Sequence, residues 1–143
     1  MTLTRFEKIA LGLSGVTALG IGTFILAAPH AFYASYGITL GNDASLLSEL
    51  RAPATGLAAF GVLMLAGIIR PPLAPTSIVA ALIVFLAFPA GRLVGIVADG
   101  MPSGGILGAL LLELVIAALC LIAFRRRLWP TAPTRNGNQP TAA

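Results

Sequence analysis

Charged residues divide this chain into four long apolar runs. Ile9 to Ala28 carries no charge and ends at Pro29. Ala44 to Ile69 is uncharged except for Glu49 and Arg51 near its start. Ser77 to Ala98 holds Arg92 alone, and Gly105 to Phe124 holds Glu113 alone. Each run is about twenty residues or longer, the length at which a helix crosses the hydrocarbon core of a bilayer. The pattern predicts an all-α membrane protein with four transmembrane helices (about 9–28, 44–69, 77–98 and 105–124) in an antiparallel bundle. A secretory signal also starts with positive charge, but its apolar region is only about 7–15 residues, so the first run is expected to be a retained helix.

The connections support the same division. Residues 1–8 form a polar head, expected in the cytoplasm, with Arg5, Glu7 and Lys8. Phe32, Tyr33 and Tyr36 follow the first run, where aromatic residues favour the headgroup level. Asn42 or Asp43, with Ser45 as a further candidate, is placed to cap the second helix. Arg70-Pro71-Pro72-Leu73-Ala74-Pro75 is a stiff connection, and Asp99-Gly100-Met101-Pro102-Ser103-Gly104 a tight turn. Within the runs, Pro53 and Pro89 remove the hydrogen bonds that the Glu49 and Phe85 carbonyls would accept, so a kink is expected at each. Ser14, Ala18 and Gly22 recur at spacing four and offer a small-residue face for close helix contact. Arg125-Arg126-Arg127 stops the fourth run, Trp129 anchors it at the interface, and the tail to residue 143 reads as disordered.

Composition excludes a soluble domain: of 143 residues, 57% are hydrophobic and only 10% charged. The net charge of +4 does not point to nucleic acid, because the basic residues flank apolar runs and form no stripe. They act as topology signals: Arg5, Lys8, Arg70 and Arg125 to Arg127 fall on one side, which puts both termini in the cytoplasm. Lys8 is the sole lysine among nine basic residues, a bias typical of GC-rich bacterial genomes, and the expected location is a bacterial inner membrane. Cys120 is the only cysteine and His30 the only histidine. An internal disulfide and a bis-histidine haem within one chain are therefore excluded, and quinone-coupled thiol chemistry, a metal and a cofactor are not expected.

The chemistry that remains is intramembrane charge. A charge at the depth of Arg92 costs about 2.5–3.5 kcal/mol on insertion scales unless it is answered. Arg92 lies six residues before the end of its run and Glu113 eight after the start of the next, so their depths differ by about 3 Å. A direct Arg92–Glu113 pair is the simplest answer, with Glu49 the alternative partner. Glu49 and Arg51 are about 200° apart on a helix and face different ways. Arg51 could reach Asp99 or a lipid phosphate, and Glu49 could complete the group around Arg92. Glu49, Arg51, Arg92, Asp99 and Glu113 thus form a candidate charge cluster in the outer half. It reads either as a lock on helix register or as the wall of an outward-facing polar cavity.

Pro29, Tyr36-Gly37, Glu49-Leu50-Arg51-Ala52, Gly91-Arg92-Leu93-Val94-Gly95, Asp99-Gly100 and Glu113, in this order, resemble the bacterial domain of unknown function catalogued as 4345. The resemblance covers about residues 8 to 124. It implies a small multi-span membrane protein and the charged positions above, and brings no activity with it. Where paired glycines often follow Glu-Leu-Arg in that family, this chain has Pro53-Ala54-Thr55-Gly56.

Three classes of function are compatible with these residues. The favoured one is a non-enzymatic membrane protein whose partners are membrane lipids, a second copy or another membrane protein. A second is an oligomeric small-solute or ion transporter subunit with Glu113 or Glu49 as the coupling carboxylate. A third is a membrane enzyme acting on lipid or quinone through a carboxylate base, although the neighbouring arginines would keep both glutamates ionised.

Overall fold

Thr4 starts the first helix through a reciprocal pair of bonds. Its hydroxyl accepts from the Glu7 amide at 3.2 Å, and the Glu7 carboxylate accepts from the Thr4 amide at 2.7 Å. This capping box satisfies two helix-end donors and starts helix α1 (Arg5–Ala27) four residues ahead of the apolar run. Pro29 opens a short helix, α2 (Pro29–Ala34), that turns the chain back toward α1. Asp43 caps α3 (Ala44–Ile69), its carboxylate accepting from the Leu46 amide at 2.7 Å. A 3-10 turn, Pro71–Leu73, leads into α4 (Ala74–Asp99), which ends at Gly100 with φ 96°. Helix α5 (Gly104–Leu128) continues through the three arginines expected to stop it. The computed structural model describes residues 2–129; the predicted tail at 130–143 lies outside the described residues.

Four segments are long and apolar enough to cross a membrane: Arg5–Ala27, Ala44–Ile69, Pro71–Asp99 and Gly104–Leu128. Large apolar side chains such as Val16, Val62, Ile83, Val94, Val97 and Leu111 are more than half exposed on these helices. An apolar exterior of this kind requires lipid around it. The chain is a multi-pass membrane protein by this criterion.

Small residues set the closest contact, between α1 and α3. A side chain at Gly22 would lie 2.6 Å from both the Ala54 carbonyl oxygen and the Ala58 nitrogen. One at Gly61 would meet the backbone of Leu19 and the Gly15 carbonyl. Such an approach is possible only without a Cβ, and it lets backbone pack on backbone where no hydrophobic force drives association. Ser14 and Ala18, from the same small-residue face, are fully buried. Close packing therefore occurs at the turn after Glu49-Leu50-Arg51, with the glycine supplied by α1. Pro53 and Pro89 both lie inside continuous helix.

The core is fullest toward the chain termini. Leu11, Met64, Ala81, Cys120 and Phe124 are buried there with Ala10, Ile78 and Ala117. The Ser14 hydroxyl donates to the Ala10 carbonyl at 2.7 Å, which leaves its oxygen to accept from the Cys120 thiol at 3.1 Å. Nearby, the Ser77 hydroxyl donates to the Leu63 carbonyl at 2.6 Å and fills the space beside Gly67. Beyond this end, Glu7 receives the Arg127 guanidinium, whose Nη2 also donates to the Thr2 carbonyl at 2.9 Å. The start of α1 is thereby tied to the end of α5. At the other end the helices do not close fully, and a cavity opens between them.

Candidate functional site: a cavity beside an intramembrane ion pair

Arg92 of α4 and Glu113 of α5 meet between their helices. Arg92 donates through Nε to both carboxylate oxygens, at 3.1 and 2.9 Å, and through Nη2 to Oε1 at 3.0 Å. Arg92 is seven residues before the end of α4 and Glu113 nine into α5. A rise of about 1.5 Å per residue then puts both at nearly the same depth. The two-pronged geometry suits a planar guanidinium facing a carboxylate. Glu113 is buried and Arg92 partly so, so each cancels a charge that would be costly alone.

The pair forms part of the wall of a cavity of about 350 Å³. Helix α1 contributes Thr17, Ala18, Ile21 and Ile25, and α3 contributes Leu57. Val84, Phe85 and Phe88 line it from α4, and Ile106, Gly108, Ala109 and Leu112 from α5. Phe32, Tyr33, Tyr36 and Ile38, from α2 and the loop after it, complete the lining. This segment is held in place from two directions. Phe32 makes edge-to-face contacts with Phe24, Tyr33 and Tyr36 at centroid distances of 5.4, 5.3 and 5.1 Å. The Ser103 hydroxyl donates to the Tyr36 carbonyl at 2.8 Å, and Gly105 leaves room for the Tyr36 ring.

The lining is mostly apolar, with Thr17, Tyr33, Tyr36, Arg92 and Glu113 as its polar groups. Burial pushes the Tyr33 phenol up, while the nearby Arg92 charge pulls it the other way. The net shift is upward, so Tyr33 keeps its proton at neutral pH and is available as a donor.

The other predicted cluster members lie elsewhere. Glu49 and Asp99 are exposed, and neither is in an ion pair among the described residues. Glu49 does not complete the group around Arg92, and Arg51 does not reach Asp99. Instead Arg51 Nε donates to the Leu26 carbonyl at 3.2 Å. A cation there meets the negative end of the α1 dipole and a carbonyl that the ending helix leaves without an in-helix donor. Arg51 also borders a shallow depression with Asn42, Ser48 and Thr55, separate from the cavity. His30 is exposed on α2.

Nothing in the sequence marks Tyr33, Tyr36 or Thr17 as cavity residues: aromatics after an apolar run read as interfacial whichever way they turn, and a lone threonine inside a run carries no signal. The Glu7–Arg127 pair was missed. Its signals were Thr4 three residues before Glu7, which marks a helix start, and an arginine triplet on the same predicted side.

A family model described as "Domain of unknown function (DUF4345)" matches residues 6–124. No curated protein and no solved structure matches the chain.

Proposed function

The chain belongs to the DUF4345 family, a domain of unknown function, and on that footing we propose that it is a binding protein for a membrane amphiphile. The apolar part of the ligand would occupy the cavity between α1, α4 and α5, and its polar end would lie against Arg92, Glu113 and the tyrosines. One observation carries this reading. An apolar cavity of about 350 Å³, within the size range of small-molecule sites, shares its wall with the Arg92–Glu113 pair. A pair serving only to hold register would need no space beside it.

The setting we propose is an antiparallel four-helix bundle in a bacterial inner membrane, with both termini in the cytoplasm and the cavity in the outer half. Arg5, Lys8, Arg70, Arg125 and Arg126, all exposed, support that orientation. The transport reading is weaker because Glu113 commits both oxygens to Arg92 and Glu49 does not line the cavity. A carboxylate base in a membrane enzyme meets the same objection.

The test is to purify the protein in native lipid particles and identify bound molecules by mass spectrometry. Ala109→Phe and Gly108→Phe serve as cavity-filling variants; a side chain at Gly108 has open space at its Cβ. A molecule retained by the native protein and lost from both variants is expected. Equal retention by all three proteins would refute the proposal.

A further inference from the structure

The hydrogen-bonding groups along the cavity are unequally spent. Arg92 uses Nε and Nη2 on Glu113, and its Nη1 makes no hydrogen bond among the described residues. Tyr33, Tyr36 and Thr17 line the same space, and their hydroxyls also make no hydrogen bond among the described residues. Among the described residues no buried side-chain nitrogen or oxygen lacks a partner, so these free groups are not sealed into packing. A guanidinium nitrogen can only donate, and hydroxyls can donate or accept. The principal acceptor on the wall, the Glu113 carboxylate, already receives three bonds of the roughly four it can take. The wall therefore keeps a charged donor that cannot accept, while its one carboxylate acceptor is nearly spent and the net charge of the pair is zero.

We infer that the polar end of the occupant is an uncharged hydrogen-bond acceptor, an ester or ketone carbonyl oxygen on an aliphatic body. This rests on the cavity being the binding site. A carboxylate would bring a second negative charge beside Glu113 into a low-dielectric space, where repulsion is strong. An ammonium would face the Arg92 cation, and the one carboxylate that could answer it is already committed to Arg92. A carbonyl oxygen takes two donors, needs no counter-charge and leaves the Arg92–Glu113 pair intact.

The experiment compares methyl decanoate, decanoate and decylamine, which share chain length and differ at the polar end. Binding is measured to the full chain in nanodiscs, after correction for partition into the lipid. The ester is expected to bind about ten-fold tighter than either charged probe, the scale of a hydrogen bond from a charged donor. Glu113→Gln leaves Arg92 unanswered and should reverse the order of ester and decanoate. The double variant R92M/E113M removes both charges at similar volume and should weaken binding of the ester about ten-fold by removing its charged donor, which keeps the test decisive if the single variant does not fold. Decanoate or decylamine binding as tightly as the ester, with all binding lost in Ala109→Phe, would overturn the carbonyl assignment and leave the cavity reading standing. Absence of binding by all three, or binding unchanged in Ala109→Phe, would overturn both.

Discussion

Arg92 is held in an apolar helix by three hydrogen bonds to one carboxylate, so the cost of removing that carboxylate exceeds the value of the pair itself. Glu113→Gln should lower stability by about 3–5 kcal/mol, because it leaves a charge in the membrane without a counter-charge. Replacing both residues by Met should return most of that loss, as apolar substitutes often do for buried pairs. Reversible unfolding in mixed detergent micelles measures both. Arg51 predicts a contrast. Its contact is one hydrogen bond to the Leu26 carbonyl, so Arg51→Ala should cost only about 0.3–1 kcal/mol. The difference between the two arginines explains what could be read in advance. Arg92 and Glu113 announce each other through matched depth on consecutive helices. A backbone carbonyl as partner leaves no mark in the residue order, which instead points Arg51 to Asp99 or a lipid phosphate.

Among the elements, α1 and α3 depend on the absence of side chains at their crossing. Gly61→Ala should destabilise by about 1–3 kcal/mol, the usual cost of overpacking, because the new methyl meets the Leu19 backbone. Gly56→Ala on the same helix has open space at its Cβ and should stabilise by up to about 1 kcal/mol through helix propensity. Thermal melting of the two variants side by side checks the prediction, and similar losses for both would contradict it. The Ser14-Ala18-Gly22 spacing made the α1 face legible. Gly56, Gly61 and Gly67 look equivalent within an apolar run, and only their neighbours separate them. Helix α2 was not foreseen because six residues are too few for a helical period to repeat.

At the scale of the molecule, the four apolar runs made the helices legible, since length and hydropathy suffice for that. The cavity was not, because a void is a property of how helices meet and no residue encodes it. Orientation rests on the basic residues. Alkaline phosphatase fused after residue 40 or residue 101 should be active, and fusions after 72 or 129 inactive, if both termini are cytoplasmic. The two ion pairs predict different failures. Glu7→Gln should loosen the contact between the start of α1 and the end of α5, leaving the cavity and its ligand unaffected. Limited proteolysis near the termini, with ligand retention measured on the same sample, distinguishes this from the effect of Glu113→Gln.

The Arg92–Glu113 pair also has a consequence for synthesis. Its members are 21 residues apart, so at about 5–20 residues per second the arginine leaves the ribosome roughly 1–4 s before the glutamate does. During that interval α4 reaches the translocon with a bare charge. Its stable release into lipid should await α5, so that the last two spans leave together as a hairpin. Nascent chains stalled through a C-terminal spacer would show this: with residue 103 just outside the ribosome α4 should remain cross-linked to the translocon, and with residue 128 outside it α4 should be free.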